Sequence, residues 1–247
     1  MELSSLVSKE RLSRLTVLKT TDSTNTQLKK IKNAPHGTVI IAEEQTAGRG
    51  RYERKFHSPK GGLYLSYLYC GKSDDTVYLT ALCGVAVKRA IEKVCGVSLC
   101  IKWVNDLLLN GKKLCGILAE SVYTGSEKRT VIGIGINCGG EDSHLPDEIK
   151  DIATSVYEET GKTPCKNVLC AEIIKALDSI DTSDRDEIFE EYRKNCITLG
   201  KKALAVSPSG EYYGEVTGIN PDFSLEFLEE NGKKRRIYSG EVSVKLQ

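Results

Sequence analysis

Apolar positions along the chain recur at two different periods, and the switches between those periods mark out its elements. Alternating or continuous β-branched runs predict strands at residues 15–18, 39–41, 63–68, 99–104, 107–109, 112–120 and 130–137. Helical spacing predicts a long core helix over 77–94, through Leu79, Leu82, Val85, Ala86, Ala90, Ile91 and Val94, with Gly96 just past its end. Shorter helices are predicted up to about Arg14, over 27–32, over 149–160 ahead of Gly161, and over 166–180 and 185–195. Asn110-Gly111 between two strand runs is a hairpin signal. From Gly200 the texture changes to short strands at 203–206, 212–217, 224–228 and 236–244. The turns between them fall at Ser209-Gly210, Asn220-Pro221-Asp222 and Asn231-Gly232. That pattern predicts a small β-barrel over 200–247, too small to be stable alone and therefore leaning on a main domain over 1–199.

The longest departure from these periods is EEQTAGRGRYERKFHSPKGGLYLS, residues 43–66, a loop held between two predicted strands. Gly48 and Gly50 alternate with Arg49 and Arg51, and Arg54-Lys55 follow beside Tyr52 and Phe56. Glycine lets a backbone approach a ligand closely, and guanidinium forks match phosphate or carboxylate oxygens two at a time. An anion site is favoured over a merely solvated basic loop, because strands pin both ends. The like charges and the glycines predict that this loop is mobile when empty. A second polar cluster, residues 20–26 (TTDSTNT), precedes a helix. One such residue suffices as a helix cap, and the surplus suits a polar ligand pocket; spacing alone leaves both readings open. Lys102 and Lys113 fall on what the pattern predicts to be neighbouring strands, either at the site or snorkelling at a sheet edge.

Composition narrows the functional classes. With 35 basic and 34 acidic side chains, net charge points to neither nucleic acid nor membrane surface as a general partner. No apolar run approaches a membrane span, and the first residues lack the apolar centre of a signal peptide. The opening segment is also too short for a helix-turn-helix module. Nine cysteines are scattered singly, and His36, His57 and His144 lie far from metal-ligand spacing. Reduced thiols of a cytosolic protein are expected, not disulfides or zinc. The strand at 130–137 carries Gly133 and Gly135 but has Cys138 where a dinucleotide fingerprint needs its third glycine. Asp106 likewise stands where a Walker loop needs its first.

The spaced segments together resemble the biotin protein ligases. They are Ser23-Thr24-Asn25; Gln45-Thr46-Ala47-Gly48-Arg49-Gly50-Arg51 with Arg54 and Ser58-Pro59; Lys102-Trp103-x-Asn105-Asp106; Lys113-Leu114-x-Gly116-Ile117-Leu118-x-Glu120; and Gly133-x-Gly135-Ile136-Asn137. They follow the family's order across about residues 20–140. The resemblance implies an α+β fold, a class II synthetase-like mixed or antiparallel sheet with helices, plus an SH3-like barrel. It also implies a reaction in which biotin and ATP give biotinyl-5′-AMP, and a lysine of a biotin carboxyl carrier protein then takes the biotinyl group. Ser23, Thr24, Asn25, Gln45, Gly48, Arg49, Gly50, Arg51, Lys113 and Gly116 would bind biotin. Arg49, Arg51, Arg54, Phe56, Lys102, Asn105, Lys113 and Asn137 would bind ATP. Arg51 and Lys113 would carry the chemistry, with Asp106 as a proton acceptor or a Mg²⁺ contact, no metal being held by the protein alone. Phe56 stands where the family usually has tryptophan, and Val104 where it has proline. The absence of the family's winged helix implies a cytoplasmic ligase that binds no DNA and no membrane, with homodimerisation left open. A lipoate- or octanoate-type acyl ligase is the nearest alternative, and a nucleic-acid binder using Tyr52 and Phe56 as a stacking platform is the alternative from another class.

Overall fold

The computed structural model describes residues 2–71, 73, 75–124, 127–141, 143, 145–207, 210–238 and 241–244. Its centre is a seven-stranded sheet built from β1 (Leu15–Thr21), β2 (Val39–Gln45), β3 (Leu63–Tyr69), β4 (Cys100–Lys102), β5 (Asp106–Leu109), β6 (Lys112–Thr124) and β7 (Glu127–Ile136). The strands lie in the order β1-β2-β3-β7-β6-β5-β4; β1 and β2 are parallel and the other neighbours antiparallel. Asn110 and Gly111 both take positive φ in the β5–β6 turn, the conformation that a tight hairpin of this hand requires.

Strand alternation gives the sheet two unlike faces. On one face Val39, Ile41, Leu65, Tyr67, Ile117, Ile132, Ile134 and Ile136 are buried. They belong to one core cluster with the inward residues of α3 (Thr76–Cys95) and α5 (Lys166–Asp178). Each fully buried Leu or Ile there contributes about 1.5–3 kcal/mol, which is what holds the layer together. Asp75 caps α3 by accepting from the backbone N–H of Val77 and Tyr78, and Gly96 ends it in the left-handed region, as the spacing predicts. On the other face α2 (Thr24–Lys30) covers only a small apolar group, Leu28 and Ala34 against Ile40, Leu68 and Val131. Further along that face Gly116, Gly133 and Gly135 stand beside Tyr64 and Ser66 of β3.

A second sheet is antiparallel, in the order β11-β10-β9-β8-β12. Its strands are β8 (Lys202–Ser207), β9 (Gly210–Ile219), β10 (Leu225–Glu229), β11 (Lys234–Ile237) and β12 (Glu241–Val244). Its β9–β10 turn reaches into the first unit. Phe223, in the left-handed region at φ 62°, lies with its ring centroid 5.4 Å from Tyr78, 5.8 Å from Phe189 and 4.9 Å from Tyr192. The Trp103 indole N–H donates to the Phe223 carbonyl at 2.7 Å.

Several sequence expectations need correction. The segment before Arg14 is a 3₁₀ turn (Leu3–Ser5) followed by the short α1 (Lys9–Ser13). The strand expected over 99–104 is confined to β4, and the run 236–244 is divided between β11 and β12. The helix expected over 149–160 is only α4 (Val156–Thr160). Its first half is used otherwise: the Ile152 carbonyl accepts from Lys113 N–H, and Thr154 N–H donates to the Lys113 carbonyl. The helix then starts where Ser155 and Glu158 form a capping box. Helix α6 (Arg185–Asn195) keeps its predicted bounds. Ser209 of the predicted Ser209-Gly210 turn and His144 lie outside the described residues.

Candidate active site

The bare face of the sheet forms the floor of a site. Gly116 on β6 pairs with Gly135 on β7, and Gly133 follows one step along the same face. A Cβ at Gly135 would come within 2.5 Å of Phe56 Cε1. One at Gly116 would come within 3.0 Å of Phe56 Cε2 and 3.2 Å of Lys113 Nζ. At Gly133 it would strike the Asn25 amide. Any side chain at these three positions would fill the floor, so glycine is required by space, not by backbone freedom.

The arginine loop folds over this floor as a small hairpin. Phe56 N–H donates to the Gly48 carbonyl at 2.9 Å and Gly50 N–H to the Arg54 carbonyl at 2.7 Å, while Arg49 and Lys55 form a bridge pair. The tip is a 3₁₀ turn (Arg51–Glu53). Its base is tied by Ala47 N–H to the Asp22 carbonyl at 2.8 Å and by Gln45 N–H to the Ser58 carbonyl at 3.0 Å. A Cβ at Gly48 would collide with the Phe56 carbonyl and Ser58 Oγ, so this glycine is what lets the hairpin close.

Cations converge at one end of the floor. Arg51 Nη1 donates to Asn105 Oδ1 at 3.3 Å, and Lys113 Nζ lies 2.7 Å from Asp106 Oδ1. The second approach is close enough for an ion pair but off the direction of a hydrogen bond, and Asp106 Oδ1 has no directed donor. Because Asn105 and Asp106 are consecutive, Arg51 and Lys113 are brought to one place. Lys113 Nζ also stands 5.6 Å from the Phe56 ring centroid. Arg49 goes elsewhere: its Nη2 lies 3.6 Å from Glu120 Oε1, four residues or about 13 Å beyond Gly116 along β6. Arg54 is exposed near the tip. Lys102 and Lys113 are not on neighbouring strands, because β5 runs between β4 and β6; Lys102 instead pairs across to Asp106. Asn137 Nδ2 donates to the Thr154 carbonyl at 3.0 Å and the Lys113 carbonyl at 3.4 Å, clamping the strand that carries Lys113.

At the other end a polar wall stands on the start of α2. Ser23 occupies the cap position yet its side chain makes no capping bond, so the hydroxyl-rich stretch is not spent on the helix end. Gln45 Oε1 accepts from Thr24 N–H at 2.8 Å, and Gln45 Nε2 donates to Ser58 Oγ at 2.9 Å. Ser66 Oγ is 2.7 Å from Thr24 Oγ1 and 2.5 Å from Asn25 Oδ1. Asn25 Nδ2 donates to Glu120 Oε2 at 2.8 Å, and Lys29 Nζ pairs with Glu120 Oε1 at 2.6 Å. Burial raises the Glu120 carboxyl, but hydrogen bonds from Lys29 and Asn25 and the charges of Lys29 and Arg49 take it below its ordinary value. Asp22 accepts from the Gln27 side chain and Ser23 N–H, which lower its pKa to about 2.

Ser66 and Lys29 are the wall residues that sequence reasoning missed, and Ser58 and Glu120 stood in its motifs without an assigned role. Ser66 is fully buried, and its signal was a hydroxyl interrupting the apolar run of β3. Glu120 shares the strand phase of Gly116, two alternations on, which puts it on the ligand side of β6. Among the described residues no group of three or more His, Cys, Asp or Glu could hold a metal ion. The cysteines are all free; Cys83, Cys115, Cys138 and Cys170 are buried, and burial pushes each thiol up.

Comparison with known proteins agrees with this geometry. The model of the biotin/lipoate A/B protein ligase family matches residues 17–137, the span from β1 to the end of β7. The bifunctional ligase/repressor BirA of Bacillus subtilis is 36% identical over 240 residues, covering 92% of this chain and 72% of that protein. The biotin–[acetyl-CoA-carboxylase] ligase of Paracoccus denitrificans is 30% identical, covering 85% of this chain and 92% of the relative. Among solved structures, a biotin protein ligase from Aquifex aeolicus in complex with biotin and ATP superposes with a TM-score of 0.82. It has 32% identity over 94% of this chain and 99% of that one.

Proposed function

The chain belongs to the biotin/lipoate A/B protein ligase family, and from that premise we infer that it activates biotin with ATP and transfers the biotinyl group to a carrier lysine. The enzyme is a biotin–[acetyl-CoA-carboxylase] ligase; its substrates are biotin, ATP and a biotin carboxyl carrier protein. The observation that carries the reading is the glycine floor with Arg51 and Lys113 converging at one end and the Thr24–Asn25 wall at the other.

In the first step a carboxylate oxygen of biotin attacks the α-phosphorus of ATP, and pyrophosphate leaves with the electron pair. An anion approaching a polyanion is repelled. One fixed unit charge about 4 Å away contributes about 4 kcal/mol at an effective dielectric near 20, so each converging cation offsets a substantial part of that repulsion. We assign Lys113 and Arg51 to the carboxylate and α-phosphate. The floor glycines and the wall of Ser23, Thr24, Asn25 and Gln45 are assigned to the ring system, with Gly48, Arg49 and Gly50 closing over it. Arg54, Phe56, Lys102, Asn105 and Asn137 are assigned to the nucleotide side. Mg²⁺ brought in with ATP would supply further positive charge there, and Asp106, whose Oδ1 faces Lys113, is the carboxylate that would contact it. In the second step the carrier amine attacks the carbonyl carbon, AMP leaves, and the amine loses its proton. Asp106→Asn separates the two roles considered for this residue: a defect confined to transfer marks a proton acceptor, and one in adenylation marks a Mg²⁺ contact.

Phe56 covers Gly116 and Gly135, so on this assignment the ring moves off the floor for biotin to lie on it. Residues 1–199 are proposed as the catalytic unit and 200–247 as an SH3-like unit. No helix among the described residues is long and apolar enough to cross a membrane, and a cytoplasmic location is part of the same proposal. So is a homodimer; β1 and β4 end the large sheet, and sedimentation with and without biotin tests pairing. The deciding experiment incubates the protein with biotin, ATP, Mg²⁺ and a carrier domain, with lipoate as competitor. Biotinylated carrier at an excess of lipoate is expected. Lipoylated carrier would move the chain to the other branch of its family.

A further inference from the structure

Glu120 stands at the far end of the floor from Arg51 and Lys113, and none of the expected site residues includes it. Its carboxylate is mostly buried, 18% exposed, and receives three groups: the Asn25 amide, the Lys29 ammonium and the Arg49 guanidinium. These contacts differ in weight. Arg49 is half exposed and 3.6 Å away, so its pair is weak; Asn25 and Lys29 are close and largely shielded.

The Asn25 contact has a consequence for proton direction. An ionised carboxylate only accepts, and so does the Leu118 carbonyl, 3.5 Å from the same Asn25 nitrogen. Nδ2 must therefore face Glu120, and Oδ1 must face Ser66. The single Ser66 proton then goes to Asn25 Oδ1, which leaves Ser66 Oγ to accept from the Thr24 hydroxyl. With that proton turned to Ser66, the Thr24 hydroxyl is withdrawn from Gln45 Oε1, 3.1 Å away, which keeps the Thr24 N–H, and Thr24 Oγ1 is left with acceptor character. One charge thus orders a chain of three side chains ending at the pocket wall. A neutral group of the same shape has both a donor and an acceptor and would let the chain run either way.

We propose that Glu120 is a positioning residue that sets the hydrogen-bond polarity of the pocket wall through Asn25, Ser66 and Thr24, so that biotin affinity depends on its charge. The proposal rests on biotin being the ligand. It is tested with Glu120→Gln, Ser66→Ala and the double variant, measuring biotin binding by calorimetry, ATP KM, kcat and thermal melting. Each single variant is expected to weaken biotin binding about tenfold, the worth of one hydrogen bond to a charged group, with ATP KM within about twofold of the parent. The double variant is expected to be little worse than either single one, because both cut the same chain. Biotin affinity unchanged in Glu120→Gln would overturn the proposal. So would effects that add in the double variant, or a loss that follows melting temperature and ATP KM together, which marks a structural role. A parent protein that binds no biotin would instead refute the functional assignment beneath it.

Discussion

The two faces of the large sheet are made by alternate residues of the same strands, yet they obey different rules. Behind the sheet, Ile132, Ile134 and Ile136 pack against helices and are nearly inaccessible. In front, the residues between them, Gly133 and Gly135, carry no side chain and leave room that Asn25 and Phe56 partly occupy. A strand can serve both purposes because its side chains point alternately up and down, so stability and binding are separated by one residue of register. The front face has little apolar area of its own, and the back face supplies the stability that lets the front remain empty.

Substitutions that strike one face at a time sharpen this contrast. Lys113→Ala should show the largest effect, a fall of about 10²–10³ in biotin-dependent pyrophosphate exchange. Its cost in stability should be about 1–3 kcal/mol, because Asp106 Oδ1 is buried and loses the nearby ammonium, while the rest of the pair is partly solvated. Comparable losses of activity and melting temperature would mean that the lysine is a structural prop. Ile134→Ala comes next, with an expected loss of about 2–4 kcal/mol in denaturant titration and unchanged biotin affinity. Its neighbour gives the mirror image: Gly135→Ala should lose biotin affinity about tenfold, since the new methyl occupies the floor, while costing less than about 1.5 kcal/mol of stability. If Gly135→Ala proves the less stable of the two, the faces are not separate. The smallest effect concerns Asp22, whose folded pKa is lowered from 3.8 to about 2. A depressed carboxyl stabilises the fold above its unfolded pKa, and that contribution is lost as pH falls through about 2. Because the group is well exposed, Asp22→Asn should lower the melting temperature only slightly at pH 6, and the gap should close near pH 2.

Much of this was legible beforehand for a local reason. The main strands, the long helix α3, the Asn110-Gly111 turn and the Gly96 cap each report on a few adjacent residues, and they fell where expected. The site motifs were legible only as an ordered set resembling a known family, because an arginine-rich loop taken alone is most often solvated surface. What escaped was whatever depends on partners distant in sequence. Residues 149–153 form a single turn and residues 152–154 then pair with Lys113, which no local pattern announces. Arg49 and Arg51 are two residues apart and look equivalent, yet one turns to Glu120 and the other to Asn105. The division of 236–244 into two strands also depends on which neighbours each half meets, β10 for one and β8 for the other.

The Phe223 turn bears on how the molecule could be taken apart. Chain connectivity draws a seam near residue 200, but Ala203, Val216, Leu225 and Phe227 lie in the same apolar cluster as Ile91 and Leu107. A fragment stopped at that seam would present an open aromatic socket of Tyr78, Phe189 and Tyr192 to water and leave the Trp103 indole without its acceptor. The terminal sheet is thus better seen as a stopper than as an appendage, and shortening the gene there would yield sticky, insoluble material instead of a smaller working enzyme.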